Sequence, residues 1–228
     1  MLILAIDTAT YSGGIAILNQ DKVIASQVLN IKKTHSQRLL RDIDYLMKEC
    51  EIEPPGIDAY AVSVGPGSFT GVRIGIACVK GLAYASGKPL VGIPTLKALA
   101  LRSAEPGILL CPVMDARRGE IFGAAYRMDN QTRELTNVLP GRAEPLTRFL
   151  ERIEEPSLFS GDGSITFRNQ IRERLGKEAS FAAPNRNLPG AVEVAMLGME
   201  RLIKGEQDSP ARLKPFYLRA PDVRPQSP

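Results

Sequence analysis

The feature that most limits how this chain can fold occurs twice. Leu2 to Ile6 is a short apolar run that meets Asp7 and a polar turn, after which Gly13-Gly14 leads into a second apolar run, Ile15 to Leu18. The order returns later: Ile108 to Met114 is apolar, Asp115 follows, and Arg117-Arg118-Gly119 leads into Ile121 to Tyr126. Short apolar runs bounded by turn residues read as strands. A buried strand that delivers an aspartate into a hairpin, and does so twice, suggests two α/β lobes with a cleft between them. The boundary then falls near residues 104–107, giving lobes 1–104 and 105–228. Strand–Asp–turn is also common locally, because Asp bonds readily to the backbone just beyond it, so the recurrence alone leaves both readings open.

The rest of the chain alternates strands and helices, the pattern of an α/β protein. Val23 to Leu29 reads as a strand, and a helix starts near Thr34 or Ser36 and runs to about Cys50, with Leu39, Leu40, Ile43, Leu46 and Met47 at helical spacing. The strand Tyr60 to Val64 runs into Gly65-Pro66-Gly67-Ser68, and a long helix follows from about Thr70 to Ser86, closed by Gly87. Leu90 to Ile93 is a strand and Thr95 to Arg102 a helix. In the second half the expected elements are a helix Pro145 to Arg152, a strand Ser157 to Ser160, a turn Gly161-Asp162-Gly163, and helices Thr166 to Leu175 and Gly190 to Lys204. The tail from Leu213 to Arg224 is basic and rich in proline; Tyr217 and Leu218 are expected to dock it on the body, with Arg212, Lys214, Arg219 and Arg224 giving minor electrostatic help toward phosphate or an acidic partner surface. The last helix and the tail are expected to pack back on the N-terminal lobe.

Two segments carry candidate chemistry. Between a strand and a helix, Gly65-Pro66-Gly67-Ser68 lets the backbone approach a ligand closely, and helix N-terminal amides favour anions. Asp7, Thr8, Gly65, Gly67 and Ser68 are therefore candidate contacts for an anion or nucleotide. The alternative is a tight turn with Ser68 or Thr70 as the helix N-cap. No Gly-Lys-Ser/Thr follows, so this is not a Walker loop. Actin-type ATPases hold phosphates on glycine-bearing hairpins, whereas the turns Asp7-Thr8-Ala9-Thr10 and Asp115-Ala116-Arg117-Arg118 carry side chains there. Asp7 and Asp115 could hold a hydrated Mg²⁺, but ATP hydrolysis by this chain alone is not expected. The second segment is the helix with Gly71, Gly75, Ala77, Gly81 and Ala83 to Ala85. Each glycine costs about 1 kcal/mol against alanine, and close packing of a second helix, from this chain or from another subunit, would offset it. Leu39, Ile43, Leu46 and Met47 with Gly71, Val72, Gly75, Val79 and Leu82 are the candidate subunit interface.

Several chemistries are excluded. His35 is the only histidine, so no site needing two imidazoles exists, and no Gly-x-Ser-x-Gly elbow accompanies it. A local role, capping or a surface polar contact, is expected of it. Cys50, Cys78 and Cys111 are scattered and odd in number, which suits free thiols in a reducing cytoplasm, with Cys78 inert among apolar neighbours. No catalytic residue and no metal site is assigned. A net charge of +4 is short of the basic density of a dedicated nucleic-acid binder. Met1 to Ile6 does not read as a signal peptide, and no run is long and apolar enough to span a membrane.

These motifs resemble the TsaB (YeaZ) family over nearly the whole chain. The resemblance rests on Ile3-Leu4-Ala5-Ile6-Asp7-Thr8-Ala9, Thr34-His35-Ser36-Gln37-Arg38-Leu39-Leu40, Ser63 to Gly75, Met114-Asp115-Ala116-Arg117-Arg118-Gly119-Glu120, Ser160-Gly161-Asp162-Gly163 and Pro215-Phe216-Tyr217-Leu218-Arg219. It implies an actin-like ATPase/sugar-kinase (ASKHA) fold, a cytoplasmic location and a part in making threonylcarbamoyladenosine in tRNA. It further implies a non-catalytic subunit partnered by a TsaD-like paralogue, which transfers the threonylcarbamoyl group, and by a TsaE-like ATPase. ATP/ADP and metal would sit on those partners, with tRNA met through the complex. A homodimer through the N-lobe helices is implied for the isolated chain. The alternative is a hydrolase in its own right, metallopeptidase-like or a nucleotide phosphohydrolase; the single histidine and the missing loop glycines count against it.

Overall fold

A computed structural model describes residues 1–20, 22–30, 35–188 and 190–219. The expectations at Asp21, Thr34, Pro189 and Arg224, and for the side chain of His35, lie outside the described residues. Strand β1 (Leu2–Asp7) pairs antiparallel with β2 (Gly13–Asn19), and β2 with β3 (Lys22–Leu29). On its other side β1 runs parallel to β4 (Ala59–Gly65), and β4 to β5 (Leu90–Pro94). The sheet order is β3-β2-β1-β4-β5.

The second sheet repeats this plan. It is built from β6 (Leu109–Arg117), β7 (Glu120–Met128), β8 (Leu135–Pro145), β9 (Ser157–Ser160) and β10 (Ala179–Phe181), in the order β10-β9-β6-β7-β8. Here β6 pairs antiparallel with β7 and parallel with β9, as β1 does with β2 and β4. Asp7 ends β1 and Asp115 lies near the end of β6, so the strand–Asp–hairpin opens both sheets.

Helices fill the layers around the sheets. Helices α1 (His35–Glu49) and α2 (Phe69–Ser86) cover one face of the first sheet, meeting Leu4, Ile6, Ile15, Ile17 and Val62. Helix α3 (Thr95–Arg102) lies between the sheets: Ala98 packs on the first, and Leu96, Leu99 and Ala100 on the second. The outer face of the second sheet is covered by α4 (Leu146–Leu150) and α6 (Arg168–Leu175), centred on Phe149, Phe159 and Ile171. Between β9 and α6 stands the short α5 (Asp162–Thr166). The last helix, α7 (Ala191–Ile203), returns to the first sheet, where Ala191, Val194, Ala195, Leu197 and Met199 close the face carrying Ile3, Ala5, Ala61 and Val91. Burying a side chain such as Val194 or Leu197 stabilises by about 1.5–3 kcal/mol.

Local signals account for the ends of α2. The Ser68 hydroxyl accepts from the Gly71 amide at 3.2 Å, and Gly87 ends the helix with φ 67°. Several elements depart from the sequence expectation. The sequence patterns predict no element where β8 and β10 form; β8 carries Pro140 and Gly141, which an edge strand tolerates because its outer side needs no partner. Pro145 ends β8 instead of opening the following helix, which starts at Leu146. Asp162 opens α5 where a plain turn was expected.

Candidate functional site

The two hairpins and the turns beside them enclose a cleft of about 630 Å³. Tyr11, Ser68 and Phe69 line it from the first half, Asp115, Arg117 and Asp162 from the second, and residues Phe216 to Arg219 form a further wall.

On the first side, Asp7 sits at the end of the buried β1, and its Oδ1 accepts from the Ala9 amide at 2.8 Å and from the Ser63 hydroxyl at 2.9 Å. The Thr8 hydroxyl donates to the Gly71 carbonyl at 2.8 Å. The Ser68 amide donates to the Ala9 carbonyl at 2.7 Å. Glycine is required at this closure: a Cβ on Gly67 would stand 2.3 Å from the Ala9 carbonyl oxygen, and one on Gly71 2.1 Å from that of Thr8. A Cβ on Gly65 would meet the Phe216 carbonyl oxygen at 2.7 Å. Of the candidate anion contacts, Asp7, Thr8, Gly65, Gly67 and Ser68 are thus brought together, but Asp7 engages Ala9 and Ser63, Thr8 and Ser68 engage Gly71 and Ala9, and Gly65 packs against the tail.

On the second side the joining group is a carboxylate. Asp162 Oδ1 accepts from the amides of Asp115, at 3.1 Å, and Gly163, at 2.9 Å. Burial pushes the Asp162 carboxyl above its usual range; the two amide bonds act in the opposite sense without cancelling it. Asp115 Oδ1 in turn accepts from the Arg117 amide at 2.7 Å.

The tail straps the halves together. The Phe216 amide donates to the Val64 carbonyl at 2.7 Å, and the Tyr217 ring stacks on Phe69 with centroids 5.3 Å apart. Arg73 lies 3.6 Å over the Phe69 ring and donates to the Tyr217 hydroxyl at 2.8 Å. Leu218 joins the core between the sheets, and Arg219 bonds to Glu120 and to the Ala116 carbonyl, each at 2.9 Å. Sequence reasoning docked Tyr217 and Leu218 but missed that the tail walls the cleft and ties down the second hairpin. The signal was Phe216-Tyr217-Leu218, an apolar cluster inside an otherwise basic segment.

The proposed interface residues fall differently. Leu39, Ile43, Leu46, Met47, Val72 and Val79 are buried in the chain's own core and Leu82 is half-buried. The amphipathic stripe of each helix faces the sheet, so the buried side chains are taken up by the chain's own core. Gly71 and Gly75 are likewise answered internally, because Cβ atoms there would clash with Thr8. Among the residues the helices show to solvent are Leu40, 64% exposed, and Tyr45 on α1, and Ala77, Gly81 and Tyr84, the last 87% exposed, on α2.

Burial pushes the Cys78 thiol up to about 11 and that of Cys111 to about 12, which keeps both thiols protonated and inert. Among the described residues no cluster of three His, Cys, Asp or Glu side chains is arranged to hold a metal ion. No helix among them is long and apolar enough to cross a membrane.

Comparison with known proteins adds the following. A protein-family model described as "TsaD: tRNA N6-adenosine threonylcarbamoyltransferase" matches residues 22–225. The chain is 35% identical over 222 residues to the tRNA threonylcarbamoyladenosine biosynthesis protein TsaB of Bacillus subtilis (strain 168), covering 96% of this chain and 94% of that one. YeaZ from Pseudomonas aeruginosa superposes with a TM-score of 0.79 at 30% identity, over 95% of this chain and 99% of that one. Component A of the (R)-2-hydroxyglutaryl-CoA dehydratase of Acidaminococcus fermentans, only 11% identical, shares the fold with a TM-score of 0.52, covering 89% of this chain and 99% of that one. The doubled five-stranded plan is that of the actin-like ATPase/sugar-kinase fold.

Proposed function

The chain belongs to the TsaB (YeaZ) family of tRNA threonylcarbamoyladenosine biosynthesis proteins, and from that premise we propose that it is a non-catalytic subunit that holds and activates a TsaD-like threonylcarbamoyltransferase. The observation that carries this reading is the closure of the first hairpin. The Ala9 carbonyl, which a bound phosphate would have to displace from its partner, already accepts from Ser68, and the tail lies over Gly65. Backbone packing there takes the place of a phosphate cradle, so a role in assembly fits better than nucleotide hydrolysis.

In this proposal the TsaD-like partner performs the transfer and carries the metal, a TsaE-like ATPase supplies nucleotide turnover, and tRNA is met through the complex in the cytoplasm. The partner docks on the solvent face of α1 and α2, at Leu40, Ala77, Gly81 and Tyr84. Isolated chains pair through the same face. Exposed apolar side chains next to small residues let a second helix approach closely.

Reconstitution of tRNA modification from purified components tests this. Omitting the chain should abolish modification, while the chain alone should neither hydrolyse ATP nor cleave peptides. Modification at full rate without it, or nucleotide hydrolysis by the chain alone, would defeat the proposal.

A further inference from the structure

Between the outer face of α2 and the tail runs a second groove, of about 490 Å³, lined by Arg73, Ile76, Ala77 and Lys80 on the helix and Leu213, Lys214, Pro215 and Tyr217 on the tail. Its charge is one-sided. Neither α2 nor residues 209–219 contain an Asp or Glu, although the chain carries 25 in 228 residues. Lys80 and Lys214 form no ion pair among the described residues. Arg73 is held over Phe69 and against Tyr217, which fixes its position without neutralising it.

We propose that this groove takes an extended, acidic segment of a protein partner. Arg73 and Lys80 lie two helical turns apart on one face, about 10 Å along the axis. An extended chain advances about 3.3 Å per residue, so carboxylates about three residues apart would meet both cations. Ala77 between them is small and exposed and leaves room for the partner's backbone. Lys214 closes the groove from the tail side. A protein fits better than RNA. The cations border the exposed apolar face at Gly81 and Tyr84, giving an apolar centre with a charged rim. A backbone-binding surface would need a denser run of Lys and Arg, and the whole chain carries a net charge of only +4.

This inference rests on partner docking at α2, so the experiment separates the two. Affinity for the TsaD-like paralogue from the same genome is titrated at low and high salt for wild type, Lys80→Glu/Lys214→Glu, Lys80→Gln/Lys214→Gln and Tyr84→Arg, each confirmed as folded by circular dichroism. Charge reversal should weaken binding about tenfold at ~0.05 M salt and much less at ~0.5 M, with the glutamine pair between it and wild type. Unchanged affinity on charge reversal, with Tyr84→Arg still disruptive, would overturn the acidic segment alone. A Tyr84→Arg protein that binds like wild type would remove the docking face beneath it. Loss of tRNA affinity in filter binding, with paralogue affinity intact, would hand the groove to RNA and overturn the proposal.

Discussion

The two sheets share one strand order but join their cleft-facing turns differently. In the first half Gly67 and Ser68 press against the Ala9 backbone, with the Ser68 amide on the Ala9 carbonyl at 2.7 Å. In the second, the Asp162 carboxylate gathers the Asp115 and Gly163 amides. Both junctions rest on glycine, since a Cβ on Gly161 would stand 2.2 Å from the Val113 carbonyl oxygen, but only the second gathers two backbone amides of different turns on one carboxylate. Topology therefore fixes which segments meet but leaves open how, and a substitution that drives a Cβ into backbone should be far less forgiving than the loss of a side-chain bond.

Substitutions ranked by expected effect test that contrast. Gly71→Ala places a Cβ 2.1 Å from the Thr8 carbonyl oxygen, with backbone on both sides of the clash. It should cost about 3 kcal/mol or more, roughly 6–12 °C in Tm for a chain of this size. Gly163→Ala in the second half meets Val113 and Met114 atoms at 2.8–2.9 Å and should cost clearly less; calorimetry showing equal losses would break the distinction.

Leu218→Ala removes a half-buried contact of the strap and should cost about 1–2 kcal/mol. Arg219→Ala removes a partly exposed pair with Glu120 and should cost under about 1 kcal/mol. Both should raise protease sensitivity at the second hairpin, which limited digestion would detect.

Asp162→Asn keeps an oxygen for the two amides and removes the buried charge. Because the folded carboxyl is raised, its contribution favours folding at acid pH and is lost as pH rises through that raised value. The Asn protein should therefore match or slightly exceed wild type in Tm at neutral pH and lose that advantage as the medium is acidified. A Tm below wild type at neutral pH and equal to it in acid would reverse the sign. Gly81→Ala carries the opposite sign: no atom lies within 4 Å of the new Cβ, and it should stabilise by up to about 1 kcal/mol.

Much of this was legible in the sequence. Apolar runs ending in Asp7 and Asp115 marked the first strand of each sheet, and Ser68 and Gly87 marked the ends of α2. What could not be read was the direction of the helix faces. Leu39, Ile43 and Val72 look the same in sequence whether they meet a sheet or a second subunit, and only the fold shows that they face inward. The glycines of α2 were ambiguous for the same reason, since Gly75 answers Thr8 and Gly81 answers nothing in the chain. The docking of the strap was expected, but its partners, Val64, Phe69, Ala116 and Glu120, could not be read because they are distant in sequence.

The return of α7 to the first sheet has a consequence for synthesis. The face carrying Ile3, Ala5, Ala61 and Val91 is finished only by residues of the helix Ala191–Ile203. At roughly 5–20 residues per second on the ribosome, on the order of ten seconds separate the emergence of β5 from that of the helix that covers it. Throughout that interval the nascent first sheet carries an apolar face that, among the described residues, only Ala98 and Leu101 of α3 reach. A fragment ending near residue 104 would keep most of that face uncovered.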